Sequence, residues 1–256
     1  HSVNPANILS VTFTNKAADE MKARIAGIVG AKAAGLELGT FHGFCVKLLR
    51  RFGAEAHLPD GFTIFDGDDQ LQVIKSCLKE LGIPRDQVSP VAIRNEISRA
   101  KDELRTSHHY AEFCEGFFQE VASKVYSNYQ NVLSRAQGLD FGDLIMSSVR
   151  LLRESSDALA FCHERYRYIQ VDEYQDTNRA QYELIREMAS ARRNLAVVGD
   201  DDQSIYGWRG ADIRNLLDFE AEYPDSRVIK LEQNYRSTQM ILDAAHHVVS
   251  RLPERK

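Results

Sequence analysis

The chain has 256 residues, 43% of them apolar and 27% charged, the ordinary balance of a globular protein with room for one large domain or two smaller ones. Its 32 basic and 37 acidic residues leave a formal net charge of −5, so any contact with nucleic acid must come from a local surface rather than from global charge. No apolar run approaches the length of a membrane-spanning helix, and Cys45, Cys77, Cys114 and Cys162 are too far apart for a zinc site or a disulfide framework, which suits a reducing cytosol.

Residues 7–13 (NILSVTF) read as a strand, followed by a helix over 16–29 with Asp19 and Glu20 in its first turn. A second strand over 36–41 (LELGTF) leads into a second helix over 42–52 (HGFCVKLLRRF). From 65 to 137 helical periodicity replaces strand signal. One helix is expected over 68–81, with Leu71, Ile74, Leu78 and Leu81 on one face, and another over 92–104, with Ile93, Ile97 and Ala100. A third, over 110–135, repeats Phe113, Phe117, Val121, Val125, Tyr129 and Val132 at three- and four-residue steps. This middle stretch reads as an inserted, all-helical subdomain.

GLDFGDLI (138–145) starts a further helix, after which strands are expected at 168–171, 195–198 and 227–231 and amphipathic helices at 177–191 and 237–252. Alternating apolar strands and helices predict an α/β fold whose parallel sheet is covered on both faces. Ligands of such sheets collect at the carboxyl ends of the strands. The residues just past those ends are polar: Thr14 and Asn15, Thr40 and His42, Asp172 and Glu173, Asp200 and Gln203.

Asp172 and Glu173 follow the strand YIQV directly. Adjacent carboxylates at a strand end point apart, so one can hold Mg²⁺ while the other faces a reacting phosphate, as phosphoryl transfer requires. The alternative is a helix cap with a solvated charge. In VVGDDDQSIYGWRGAD (197–212) a strand runs into a polar loop and then Tyr206, Trp208 and Arg209, two stacking surfaces beside a phosphate-binding cation. The competing reading makes Trp208 a core residue. In KLEQNYRST (230–238), Arg236 stands just before a helix start where it can reach an anion, and Tyr235 offers a flat face.

Together these stretches resemble the UvrD/PcrA/Rep family of superfamily-one DNA helicases. VTFTNKAADEM (11–21) is similar to its motif Ia, GTFHGFC (39–45) to the next DNA-contacting motif, VDEYQDT to motif II, VVGDDDQSIYGWRGAD to motif III and LEQNYRST to motif IV. FTIFDGDDQ and LDFGDLI match the connecting segments, so the resemblance runs in order through essentially the whole chain.

The resemblance implies a RecA-like parallel sheet flanked by helices: a first domain over 1–56 and 138–226, a helical insertion over 57–137, and the start of a second RecA-like domain over 227–256. It implies ATP and Mg²⁺ as cofactors, with Asp172 on the metal and Glu173 activating the attacking water. Gln203 and Arg236 would contact the γ-phosphate, and Tyr235 would stack on adenine. Phe13, Thr14, Asn15, Thr40, His42, Tyr206, Trp208 and Arg209 would line a single-stranded DNA path. The implied activity is 3′-to-5′ translocation and unwinding driven by ATP, in the bacterial cytoplasm at the nucleoid. The implied partners are single-stranded DNA and duplex junctions, with repair or replication proteins beside a monomer or weak dimer.

One part of such a site is missing from the chain. A phosphate loop needs G-x-x-x-x-G-K-[ST], and none of the 15 glycines is followed by lysine. The start HSVNPANILSV has neither an initiating Met nor the features of a signal peptide, the pattern expected of an internal piece that lacks the loop and is inactive as an ATPase alone. Two other readings stay open: a single-strand binder that has lost hydrolysis, and the helicase part of a helicase–nuclease. Three decoys are set aside. DFG (140–142) and VAIR (91–94) lack the rest of a kinase signature, the neighbouring histidine pairs (His108–His109 and His246–His247) lack completing ligands, and Asp200–Asp201–Asp202 lacks the glycine and glutamate spacing of a calcium loop.

Overall fold

A computed structural model of the protein describes residues 3–84 and 87–251. Strand β1 (Ile8–Thr12) leads into helix α1 (Asn15–Val29), β2 (Glu37–Thr40) and α2 (Phe41–Arg51). After β3 (Thr63–Phe65) come α3 (Gly67–Glu80), α4 (Pro90–Asp102), α5 (Ser107–Ala111) and α6 (Phe117–Arg135), then β4 (Gly138–Asp140). The chain continues through α7 (Phe141–Glu154), α8 (Ser156–Arg165), β5 (Tyr168–Val171), α9 (Arg179–Ala189) and β6 (Leu195–Val197). Two single turns, α10 (Arg214–Leu217) and α11 (Phe219–Glu222), precede α12 (Gln239–Val249).

The main sheet has the order β2–β1–β5–β6 and is parallel throughout, with Leu9 opposite Glu37 and Ile169, and Ile169 opposite Leu195. Strand alternation sorts its side chains. Leu9, Val11, Ile169 and Val171 point into one buried cluster with Phe41, Leu48, Leu144, Leu151 and Leu184 from α2, α7 and α9. Ser10 and Thr12 point the other way, where α1 lies and Ser10 Oγ reaches the Met21 thioether at 3.4 Å. Helices therefore flank the sheet, but cover of the second face stops at β1 and β2. Tyr168 on β5 is 41% exposed, so among the described residues the expected two-sided burial holds for only half the sheet.

Residues between α2 and α7 form a second cluster of their own, built on Ile74, Leu78, Ile93, Ile97, Val125, Tyr126, Tyr129 and Leu133. Its helices start on well-formed caps. The Asp66 carboxylate accepts from the Asp68 and Asp69 N–H groups, Ser89 caps α4 ahead of Pro90, and Thr106 caps α5. The single long helix expected over 110–135 is broken, because Gly116 adopts φ +86 between α5 and α6. The strands β3 and β4 were not expected. They are three residues each and pair in parallel, Thr63 with Gly138 and Phe65 with Asp140. A Cβ at Gly138 would overlap the Phe65 ring, so Gly138→Ala should destabilise the chain by about 1–3 kcal/mol, the range for overpacking, as a lowered urea midpoint; an unchanged midpoint would mean the ring swings clear.

Two further expectations differ. Helix α1 begins at Asn15, with Thr14 as its cap, which moves Asp19 and Glu20 out of the first turn. The stretch 227–231 forms no strand. Val228, Ile229 and Leu231 are exposed, and no strand among the described residues lies beside them to complete a ladder, which a strand requires. The end of the expected helix at Leu252, and 252–256 of the proposed second domain, lie outside the described residues, as do residues 1–2 and 85–86.

Candidate nucleotide and nucleic-acid site

The carboxyl edge of the sheet is held in place by backbone bonds that continue past the strand ends. Asp172 N–H donates to the Val11 carbonyl at 3.0 Å, Val198 N–H to Val171 at 2.8 Å, and Tyr174 N–H to Val198 at 2.9 Å. Between them Glu173 takes the left-handed conformation, φ 53° and ψ 43°, which strains a non-glycine residue and turns the chain sharply into the single turn Tyr174–Asp176.

A side-chain relay then runs from Glu173 across the edge. Buried Gln175 donates from Nε2 to the Glu173 carboxylate at 2.8 Å, while its Oε1 accepts from Asp200 N–H at 3.1 Å. Gln203 in turn donates from Nε2 to the Asp200 carboxylate at 2.6 Å. Gly199 makes room for this relay, since a Cβ there would stand 2.9 Å from Gln175 Oε1. The carboxylates of Asp200, Asp201 and Asp202 lie within 4.8 Å of one another, and Asp200 is already committed to the Asp202 N–H and to Gln203.

Burial raises the pKa of Asp172, and the adjacent Glu173 charge raises it further. The same two causes, in the same order, raise Asp176. Asp176 Oδ1 is buried and has no hydrogen-bond partner among the described residues. Sequence reasoning passed over Gln175 and Asp176. Both stand inside the quoted motif, and their spacing, two and three residues after Glu173, was the available signal.

A cleft of about 2010 Å³ opens between this edge and the helical block. It brings together Phe13, Thr14 and His42 from the β1 and β2 ends, Glu173 and Gln203 from the relay, and Tyr206 and Trp208 from the loop after β6. Phe13 is propped edge-on against buried Phe41 at 5.5 Å, and His42 against Phe141 at 5.3 Å. Burial lowers the His42 pKa, with Asp140 opposing, which favours the neutral ring. Trp208 is 75% exposed, which rules out the core reading, and its ring stands 6.3 Å from that of Tyr206.

Other predicted residues are placed differently. The Thr14 and Thr40 hydroxyls accept the Ala17 and Gly43 N–H groups, so each caps a helix. Asn15 and Thr40 line a smaller neighbouring groove of about 380 Å³. Tyr235, 92% exposed, and Arg236 are not among the residues lining the cleft; the Arg236 N–H is bound locally to the Asn234 side chain. The side chain of Arg209 lies outside the described residues.

The family model described as the UvrD/REP helicase N-terminal domain matches residues 1–224. Over 254 residues the chain is 47% identical to the ATP-dependent DNA helicase PcrA of Staphylococcus epidermidis (strain ATCC 12228 / FDA PCI 1200) and 48% identical to that of Bacillus subtilis (strain 168). It is 47% identical to the protein of the same name in Staphylococcus aureus (strain NCTC 8325 / PS 47). These alignments take in 99% of this chain but only 34–35% of each relative, so the chain spans about a third of their length. The chain belongs to the UvrD/REP helicase family, its residues 1–224 matching the family's N-terminal domain.

Proposed function

We propose that the chain is part of an ATP-driven motor that moves 3′ to 5′ along single-stranded DNA, with Mg²⁺ at the carboxylate pair, and that these 256 residues do not hydrolyse ATP by themselves. The observation that carries this reading is one cleft lined both by the Glu173–Gln203 relay and by the exposed aromatics Tyr206 and Trp208. A motor needs a hydrolytic group and a base-stacking surface on one rigid edge, and a pure binder has no use for the carboxylates.

The residues fit a hard divalent cation. Asp172 and Asp176 are costly to keep ionised where they are, and Asp176 carries an unsatisfied buried acceptor; a hydrated cation relieves both. When bound, Mg²⁺ supplies charge neutralisation to the phosphates. Asp172 would hold it. Glu173, oriented by Gln175, would accept the proton of the attacking water, and Gln203 would donate to the γ-phosphate. Tyr235 and Arg236 would act on the adenine and the γ-phosphate once 224–238 is brought against the cleft.

We further propose the division into a RecA-like part (1–56 and 138–226), a helical insertion (57–137) and the start of a second RecA-like part (227–256). The separate apolar cluster drawn from the helical block supports it. Among the described residues no helix is long and apolar enough to cross a membrane. Single-stranded DNA and duplex junctions are the partners this reading needs, with repair or replication proteins, a monomer or weak dimer, and a bacterial cytoplasmic, nucleoid-associated setting.

The test on this chain is single-strand binding. Fluorescence titration with oligothymidylate should register binding, and Trp208→Ala should weaken it by about 1–3 kcal/mol, the range for losing one base–aromatic stack. Equal affinity of the variant and the wild-type chain would remove Trp208 from the strand path.

A further inference from the structure

Two neighbouring residues close helix α4, and they face different ways. Lys101 turns into the buried base of the helical block, with Nζ at 2.7 Å from Asp140 and 2.8 Å from Asp143. Asp102, the last residue of the helix, turns toward the cleft. Its Oδ1 accepts from Asn178 Nδ2 at 2.7 Å. Asn178 is the cap of α9: its own Oδ1 accepts the Gln181 N–H at 2.9 Å, and its N–H donates to the Gln181 side chain. Thus one end of the Asn178 amide starts the helix behind the carboxylate pair, and the other end holds the helical block.

The second carboxylate oxygen of Asp102 lies under the aromatic loop. Gly210 closes that loop with φ +83, and a Cβ added there would stand 3.1 Å from Asp102 Oδ2 and 3.5 Å from Asp102 Cβ. The conformation favours glycine, and the neighbour leaves a side chain there little room. The loop is stitched to the carboxylate segment on its far side as well, where Asp212 N–H donates to the Thr177 carbonyl at 3.0 Å and Asn215 Nδ2 to Thr177 O and Oγ1.

We infer that Asp102 is a positioning residue. Through Asn178 and Gly210 it clasps the Tyr206–Trp208 loop to the amino end of α9, so that the helical block fixes the stacking surface offered to single-stranded nucleic acid. The role in stacking rests on the reading of Tyr206 and Trp208 given above; the clasp itself does not. Lys101 anchors the preceding residue to Asp140 and Asp143 at the start of α7, so the end of α4 that carries Asp102 is held in place.

Four forms of the chain decide the matter: wild type, Asp102→Ala, Asp102→Asn and the exchange Asp102→Asn with Asn178→Asp. Asparagine at 102 still accepts from Asn178, and in the exchange the donor and acceptor trade places. Hydrogen exchange at the Gly210, Ala211 and Asp212 amides should be about tenfold faster in Asp102→Ala, the local opening expected once the hydrogen bond from Asn178 is lost. Oligothymidylate affinity should fall about fivefold in the same variant, while Asp102→Asn and the exchange stay near wild type on both readouts.

Wild-type exchange and affinity in a folded Asp102→Ala would overturn the proposal, as would losses in Asp102→Asn equal to those in Asp102→Ala. If Asp102→Ala does not fold, Asn178→Asp alone against the exchange gives the same comparison: loss in the single variant and recovery in the double supports the clasp, and equal behaviour of the two rejects it. A wild-type chain that does not bind oligothymidylate would sink the DNA reading while leaving the exchange rates to decide the clasp.

Discussion

Replacing Lys101 with methionine should destabilise the chain by about 3–5 kcal/mol, read as a fall in the urea midpoint, because it strands buried carboxylates that have lost their partner. Lys101 is 1% exposed, among the most buried side chains of the molecule. Its Nζ lies 2.7 Å from Asp140, 2.8 Å from Asp143 and 2.8 Å from Gln130 Oε1, and the Tyr129 hydroxyl donates to the same Asp140 oxygen at 2.7 Å. Two hydrogen bonds and a second ion pair surround the ammonium, which is what allows the charge to be buried at all. Methionine fills the volume and removes the charge. Gly142 belongs to the same arrangement, since a Cβ there would stand 2.8 Å from the Lys101 side chain.

The pH dependence of that loss has a definite sign. In the wild type burial opposes ionisation of Asp140, and the Lys101 charge with its hydrogen bond overcomes this and holds the pKa below the ordinary carboxylate value. A depressed carboxylate contributes stability present above its unfolded pKa and lost as pH falls. Without Lys101 only the hydrogen bonds from Tyr129 and the Asp143 N–H oppose burial, the folded pKa rises, and stability is instead lost as pH rises. The deficit of Lys101→Met should therefore be largest near neutrality and shrink toward pH 4. Adding Asp140→Asn should recover more than half of it at pH 7, since the cap of α7 survives and one stranded charge is gone. A deficit independent of pH would point to lost packing rather than stranded charge.

Lys101 also marks where sequence reading stopped. Spacing had placed Ile93, Ile97 and Ala100 on the inner face of their helix, and those three are buried. A lysine next to that face reads as a solvated charge. Only β4, three residues long and below any periodicity window, brings Asp140 to it, and β4 itself went unrecognised because GLDFGDLI reads as a helix start. The parallel order of the main sheet followed from alternation, and its edge from the rule that ligands gather at carboxyl ends. The relay through Gln175 was not legible, because it depends on Glu173 entering the left-handed region, a conformation that no local pattern announces for a glutamate. The unpaired 227–231 shows the opposite limit: an apolar β-branched run specifies a strand only where a neighbour completes its hydrogen bonds.

In a full-length protein carrying this segment together with a phosphate loop, Glu173→Gln should lower ATP turnover by about 10²–10⁴-fold, the range for losing a positioned general base, while single-strand binding persists. The substitution isolates proton transfer because so little else depends on the charge. Glutamine keeps an oxygen to accept from Gln175 Nε2, now at 2.8 Å from the glutamate, so the links onward to Asp200 and Gln203 stay intact. The backbone strain at φ 53° is the same for either side chain. Asp172 loses the adjacent negative charge that raises its pKa, which makes its ionised form easier to keep. The two steps should then separate cleanly, with nucleotide and single-stranded DNA bound at wild-type affinity and hydrolysis lost. Turnover at the wild-type rate would take the general-base role away from Glu173. A matching loss of DNA affinity would mean that the relay holds the aromatic loop through the carboxylate charge, and that hydrolysis and stacking cannot be separated at this residue.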